Sequence, residues 1–436
     1  MIGERNYKKY KSVYTMNKQI LKTASLYTGF SIINQFIGLL VQLILMRGST
    51  IIDYGEYAIN FEALALIQLV LANAYRNYYL QKIREDNSHE NINKLIYYQA
   101  INGSLLIFLF SSIVCYVYKL KLDVSIFLIS VSVISSLLLP LQAKWLANNE
   151  RSKLIIKDIS ISLLSLVVVY ITMRIMHYSV SVVTIFQYVG IGWVSLLLFI
   201  ITAKGALKKI HYSEIRAISR TFDKKLYVFI MIFIVNALHN KFGGIFLRNF
   251  STEIETSLYL TAFKFINPLF FIQTSLVSAF MPSFVRDKEF NFSGKVFLTF
   301  AVPGLLIALS LYLLFPDAIG FLGLKKYLES YQIIKIACLF VFIVFIYGSM
   351  SNYISVTGGQ RFILVTNVMA LITLCLLSFV FKDIGNTSLN LIRIFVLVEC
   401  LVCVLYFFYL LKKMKISFFF FLSPLICILL VFLSLF

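Results

Sequence analysis

Ionisable side chains lie inside long apolar runs of this sequence, where they are costly unless they serve a purpose. Lys264 stands within LYLTAFKFINPLFF, and Glu62 stands within INFEALALIQLVLA. A charged side chain at the centre of a bilayer costs at least about 2.5–3.5 kcal/mol, so such residues usually face a cavity or a partner charge. The pattern therefore predicts a polar site inside a membrane-embedded protein.

Further polar residues of these runs form three groups. The cationic group consists of Lys264, Lys241 and Arg76, the acidic group of Glu62, Asp158 and Glu399, and the neutral polar group of Gln35, Gln42, His239 and Asn240. We expect the cationic group to form a substrate-binding cavity and the neutral polar group to line that cavity. The acidic group is expected to gate the protein or to couple ions. Structural roles stay open: a buried ion pair for Lys264, an interfacial anchor for Arg76, and packing between helices for the glutamines.

The composition makes lipid the solvent for most of this chain. Hydrophobic residues make up 60% of the 436 residues, charged residues only 14%, and the mean hydropathy is +0.85. Soluble domains carry about 25% charged residues. Runs long enough to span a bilayer predict twelve helices near 24–46, 55–79, 95–118, 123–146, 155–175, 179–203, 226–248, 256–284, 294–315, 331–355, 362–381 and 389–411, and a thirteenth at 416–436.

The net charge of +20 is distributed as in a membrane protein, not as in a nucleic-acid-binding protein. Lys and Arg are concentrated in alternate loops, which predicts by the positive-inside rule that the N-terminus is cytoplasmic. No nucleic-acid motif accompanies the charge, so no nucleic-acid partner is expected. The C-x-x-C of Cys400 and Cys403 has no second ligand pair, and no Walker A sequence occurs, so neither a metal nor another cofactor is expected.

The two halves of the sequence resemble each other. DYGEYA (53–58) opens the second predicted helix as TSLYLTA (256–262) opens the eighth, AING (100–103) matches AVPG (301–304), and NNER (148–151) matches GGQR (358–361). Six helices per half make the repeats parallel, an architecture of transporters with the substrate path between two lobes. A chance match in low-complexity apolar sequence is the alternative.

This repeat predicts the division of the chain and one specific pairing. We expect a cytoplasmic N-terminus (1–23), an N-terminal lobe (24–203), a basic cytoplasmic linker (204–225), a C-terminal lobe (226–411) and an additional helix (416–436). Glu62 lies five residues after Tyr57, and Lys264 lies five residues after Tyr259. The two groups are therefore equivalent positions on opposite lobes, and we expect them to face each other and to pair in one state.

The sequence resembles the polysaccharide flippases of the multidrug/oligosaccharidyl-lipid/polysaccharide exporter superfamily, in particular the Wzx-type O-antigen flippases. DYGEYA (53–58), SLYLTAFKFINPLFFIQTSLVSAFMPSF (257–284) and TGGQRF (357–362) carry the resemblance, which covers nearly the whole chain. It implies an all-α, two-lobed membrane fold like that of the multidrug (MATE) exporters. The related peptidoglycan-precursor flippases typically carry arginines in the first helix, and the predicted first helix of this sequence (24–46) has none.

The resemblance also implies a cargo and a location. The cargo is an oligosaccharide on a polyprenyl pyrophosphate, moved from the inner to the outer leaflet of a bacterial cytoplasmic membrane without hydrolysis. The pyrophosphate is expected in the cationic cavity, with H+ or Na+ as a possible coupling ion. Membrane lipids, a polysaccharide polymerase and a chain-length regulator are the expected partners.

Three other readings compete with a flippase. A drug/cation antiporter of the same superfamily needs acidic groups for its cationic cargo, whereas the intramembrane balance here is basic. A polysaccharide polymerase or ligase usually has a long outward loop with catalytic charges, which this sequence lacks. A non-transporting membrane scaffold does not need so many buried charges.

Overall fold

The computed structural model describes residues 29–30, 32–86, 92–148, 150–204, 224–286 and 294–413. The predicted N-terminal segment 1–23, almost all of the predicted linker 204–225 and the predicted last helix 416–436 lie outside these residues. Within them the protein is helical and contains no strand. We number the long helices α1 (Ile32–Gly48), α2 (51–86), α3 (92–117), α4 (122–147), α5 (151–175), α6 (Val180–Ala203), α7 (Lys224–Phe250), α8 (253–286), α9 (Gly294–Phe321), α10 (Ser330–Val356), α11 (Gln360–Val380) and α12 (Thr387–Lys413).

The helices α2 to α12 are each long and apolar enough to cross a membrane, which makes eleven spans among the described residues. The predicted all-α polytopic membrane architecture is therefore confirmed. The helix α1 is described over a shorter apolar stretch, and its predicted beginning at residue 24 lies outside the described ranges.

Two helices begin several residues earlier than hydropathy predicts, because threonines cap them. The Thr50 hydroxyl accepts a hydrogen bond from the Asp53 amide at 3.1 Å, and the Thr252 hydroxyl accepts one from the Glu255 amide at 3.2 Å. Such caps satisfy amides that the first helical turn leaves unpaired. The capping threonines of α2 and α8 are 202 residues apart, the same spacing that separates Tyr57 from Tyr259.

Several helices are interrupted within the membrane. The helix α2 contains a π-helical turn at Gln68–Ala72, and α8 contains a 3-10 turn at Asn267–Leu269 that includes Pro268. Proline removes an amide donor and its ring clashes with the preceding turn, so it breaks an α-helix. Wide π turns often occur at functional sites. Both interruptions lie within a few turns of Glu62 and Lys264.

The helices form two groups that meet through α2. In the first half α6 packs on α4 and α5, and in the second half α10 packs on α9 and α12. Contact between the halves is made largely by α2, which packs against both α7 and α8. At the beginning of α2 the halves are so close that a Cβ added to Gly55 would lie 1.7 Å from the Ser257 hydroxyl. These two residues are again 202 apart.

Several hydrogen bonds join the halves at that end of the bundle, which we call the closed end, and two of them match each other. The Arg47 guanidinium donates to the Leu322 carbonyl at 2.8 Å, and the Arg248 guanidinium donates to the Tyr118 carbonyl at 3.3 Å. Each arginine ends the first helix of its half, and each carbonyl lies in the connection between the third and fourth helices of the other half. The closed end therefore has an approximate twofold arrangement.

Candidate functional site

A buried ion pair joins the two halves at the level of the intramembrane charges. The Lys241 ammonium on α7 lies 2.8 Å from one carboxylate oxygen of Glu62 on α2 and 3.0 Å from the other. The side chains are only 15% and 7% exposed. Taking two charges out of water is costly, and the attraction between them offsets that cost only in close geometry. Because of this contact, the stability of the protein depends on the distance between α2 and α7.

Lys264 lies beside this pair but is not part of it. The side chain is half-buried on the last turn before the break in α8, and it interacts electrostatically with Glu62 and with Lys241. Among the described residues it makes no hydrogen bond and no ion pair. Two lysines thus share one carboxylate, which leaves an excess of one positive charge next to Glu62.

The hypothesis that Glu62 pairs with Lys264 gains only partial support from this geometry. The two groups are neighbours across the interface of the halves, but the hydrogen-bonded partner of Glu62 is Lys241. The repeat shows that Glu62 and Lys264 occupy equivalent positions in the two halves. It does not determine which lysine forms the ion pair with Glu62 on α2.

A second polar cluster lies within the C-terminal half, where α7 meets α11 and α12. The His239 Nε2 atom lies 2.8 Å from the Glu399 carboxylate, and both side chains are largely buried. Nearby, the Asn367 amide donates to the Asn236 side chain at 3.1 Å, and the Tyr406 hydroxyl donates to Asn367 at 3.2 Å. The helix α7 therefore carries Lys241 towards α2 and His239 towards α12.

A cavity of about 690 Å³ lies inside the N-terminal half, surrounded by α1 to α6. This volume falls within the range of roughly 300–1,000 Å³ typical of small-molecule sites. Three of the predicted site residues lie in its wall, namely Gln42, Arg76 and Asp158. The wall also holds serines and amides that the sequence analysis did not single out, because serine is common in membrane helices and packs well there.

The three predicted residues in the cavity wall have local partners, and two further predicted residues, Asn240 and Gln35, lie outside that wall. Arg76 donates to the Asn73 side chain at 2.7 Å, and Asp158 lies 3.0 Å from the Lys157 ammonium. Gln42 accepts a hydrogen bond from the Tyr54 hydroxyl at 2.8 Å. Asn240 donates to the Asn236 carbonyl of its own helix at 2.8 Å, and Gln35 is half-buried outside the wall of this cavity.

The described residues do not assemble a metal centre. No group of three or more His, Cys, Asp or Glu side chains comes together among them in a way that could hold a metal ion. The chemistry within reach of these clusters is the binding of ions and polar ligands.

Comparisons with known proteins relate this fold to transporters. No protein-family model and no curated protein sequence matches the chain. The lipid II flippase MurJ in an inward closed conformation superposes with a TM-score of 0.70 at 14% identity, covering 94% of this chain and 92% of that one. An inward-facing MATE family multidrug resistance transporter of the MOP superfamily superposes with a TM-score of 0.59 at 10% identity. The match covers 87% of this chain and 94% of that one. A MOP superfamily transporter from Pyrococcus furiosus superposes with a TM-score of 0.57 at 12% identity, and the match covers 90% of this chain and 94% of that one. That protein is described as having a binding pocket of reversed polarity.

At these identities the likeness shows the fold. The chain has the fold of MOP superfamily transporters such as MATE proteins and MurJ, as the sequence analysis expected. The particular Wzx-type membership stays a prediction.

Removal of either partner of the ion pair between the halves should destabilise the protein. We expect Glu62→Gln or Lys241→Met alone to cost about 3–5 kcal/mol, because each leaves a buried charge without its partner. The double variant should be more stable than either single variant, as thermal unfolding of the purified protein would show.

The pair of Lys121 and Glu56 is the matched control for this experiment. Its charges are also 2.8 Å apart, but the side chains are 57% and 24% exposed, so its removal should cost only about 0–1 kcal/mol. Equal losses for the two pairs would contradict the structural role given to Glu62 and Lys241.

Proposed function

We propose that this protein is a flippase for polyprenyl-pyrophosphate-linked oligosaccharides. In this proposal it moves them by alternating access from the inner to the outer leaflet of a bacterial cytoplasmic membrane, for the synthesis of O-antigen or another surface polysaccharide. The observation that carries the proposal is the excess positive charge of Lys241 and Lys264 around Glu62, at the interface of two halves with a transporter fold. An anionic headgroup is the ligand that this charge favours.

The positive-inside rule orients the protein in this proposal. The closed end then faces the outside, since the connections there carry fewer basic residues than the loops of the opposite side. We infer that the closed end separates the site from the outside in this orientation, and that the headgroup reaches the site from the cytoplasmic leaflet. The prenyl chain would remain in the surrounding lipid.

Competition for the lysines supplies a mechanism for the change between states. A pyrophosphate bound by Lys241 and Lys264 adds negative charge next to the Glu62 carboxylate. Like charges about 4 Å apart repel by about 4 kcal/mol at an effective dielectric constant of about 20. Cargo binding would therefore weaken the ion pair that joins α2 to α7, and would favour separation of the halves at the closed end.

The competing functions fit the described residues less well. A drug/cation antiporter would place acidic groups at its cargo site, but the cluster at the interface has an excess of lysine. A polymerase or ligase would need a long catalytic loop on the outside. The six connections at the closed end are all described, and the longest is the stretch 322–329.

In this proposal the coupling ion binds at the cluster of His239 and Glu399. Binding of H+ or Na+ at Glu399 would change its contact with His239, and α7 would transmit that change to Lys241 two residues further along. A MATE-like fold is compatible with either ion. A polysaccharide polymerase and a chain-length regulator would act on the translocated product as partners in the same membrane.

Deletion of the gene provides the direct test of the flippase proposal. We expect the lipid-linked oligosaccharide to accumulate on the inner leaflet, wild type to clear it, and Lys264→Ala to lose most of that activity, about tenfold or more. Leaflet location can be measured by the access of an impermeant glycan-modifying enzyme to spheroplasts and to inverted vesicles.

Lys335→Ala is the matched control for Lys264→Ala. Lys335 is also a half-buried lysine of an apolar helix, but it lies 4.7 Å from the centre of the Tyr331 ring near the closed end. This variant should clear the lipid as wild type does. If the oligosaccharide reaches the outer leaflet without the gene and only chain elongation fails, the protein is a polymerase.

The coupling site is tested by the ion dependence of transport in proteoliposomes. Glu399→Gln should abolish stimulation by a proton or sodium gradient, because the carboxylate is the group that would bind either ion. Asp158→Asn should leave the gradient dependence of the remaining transport intact. Loss of that dependence in Asp158→Asn alone would place coupling in the N-terminal half instead.

A further inference from the structure

The cavity inside the N-terminal half is separate from the charged cluster at the interface. The helix α2 lies between them, since Tyr57 and Phe61 on one side of it line the cavity, whereas Glu62 points to α7. The cavity needs its own explanation, because a site for the pyrophosphate at Lys241 and Lys264 does not require it.

The wall of this cavity holds a buried amide without an ordinary partner. Gln187 on α6 is only 1% exposed, and neither its amide nitrogen nor its amide oxygen forms a hydrogen bond of ordinary geometry within the described residues. The Tyr57 hydroxyl is a polar neighbour that makes a weak hydrogen bond with the Gln187 side chain, but one hydroxyl cannot supply all the hydrogen bonds of a primary amide. An unsatisfied buried polar group costs about 1–3 kcal/mol, so its position in the wall points to a ligand that supplies the missing hydrogen bonds.

Serine hydroxyls give the same wall the character of a hydrogen-bond acceptor. Ser132 donates to the Leu128 carbonyl at 2.8 Å, and Ser136 donates to the Val133 carbonyl at 2.6 Å. With their protons directed to the helix backbone, these hydroxyls present lone pairs to a ligand. Ser162 and Ser165 on α5 line the cavity one and two turns after Asp158. A ligand with several hydroxyl donors complements this wall.

The charges of the wall exclude an organic cation as the preferred ligand. Arg76 and Lys157 oppose the one carboxylate of Asp158, and Lys157 already pairs with that carboxylate at 3.0 Å. The rings of Tyr57 and Phe61, with centres 4.6 Å apart, add an aromatic surface. Sugar rings combine hydroxyl donors with apolar C–H faces, and both features are matched here.

We infer that the cavity of the N-terminal half binds the glycan of the lipid-linked cargo, and that Gln187 recognises its hydroxyl groups. This inference rests on the proposed flippase function and divides the cargo between two sites. The lysines of the interface bind the pyrophosphate, and the cavity distinguishes a lipid that carries sugar from one that does not.

Binding of two probes to the purified protein in nanodiscs tests this division. The probes are undecaprenyl pyrophosphate and the lipid-linked oligosaccharide extracted from the cells that express the protein. Wild type should prefer the glycan-bearing lipid by tenfold or more. Gln187→Leu should reduce that preference to less than about threefold while it binds undecaprenyl pyrophosphate as wild type does.

Gln99→Leu is the control for the loss of a buried amide. Gln99 is fully buried in the same half, accepts a hydrogen bond from Tyr79 at 2.6 Å, and lies outside the cavity wall. This variant should keep the preference for the glycan-bearing lipid, and both variants should elute as monodisperse protein before they are compared.

The outcomes separate the two proposals. Equal binding of both lipids by wild type, or an unchanged preference in Gln187→Leu, overturns the glycan site and leaves the flippase proposal standing. If the cavity holds only water and no glycan, Gln187→Leu would likewise leave the preference unchanged. Failure of wild type to bind either lipid overturns both.

Discussion

The contact between Glu62 and Lys241 is the interaction on which this structure depends. It is a buried ion pair across the interface of two halves, 2.8 Å long, inside a protein whose solvent is lipid. Neither charge has an inexpensive alternative at that position, because both side chains are largely buried and lipid solvates ions poorly. Lys264 makes the arrangement asymmetric, since a second cation shares the same carboxylate. In the proposed function, a stable resting contact and a site for an external anion are built from the same three side chains.

The proposed alternating-access cycle requires this contact to be reversible. At the closed end the halves meet through hydrogen bonds from Arg47, Arg248, Asn249 and Lys326 and through the close approach of Gly55 to Ser257. In the proposed function, rocking of one half against the other breaks these contacts together. The helix α7 links the interface to the pair of His239 and Glu399, and in the proposed function an ion bound at that pair acts on the same contact through α7.

The sequence could predict the membrane fold and many of the charged residues, because an ionisable group in an apolar run is conspicuous. It could not predict that Glu62 contacts Lys241 in preference to Lys264, since a repeat establishes equivalence and not the register of helices across an interface. The pairing of His239 with Glu399 joins residues 160 apart and depends on the packing of α7 against α12. The cavity wall around Gln187 was missed for a similar reason: its serines and amides are unremarkable singly and acquire meaning only when six helices surround one space.

The central claim is that the carboxylate of Glu62 and the pyrophosphate of the cargo compete for the same lysines. The most direct measurement is the affinity of purified wild type and Glu62→Gln for undecaprenyl pyrophosphate in nanodiscs. We expect the variant to bind the lipid more tightly, by about tenfold or 1.4 kcal/mol, because the competing carboxylate is gone. Weaker or unchanged binding by Glu62→Gln would contradict it, and would reduce the ion pair to a structural contact.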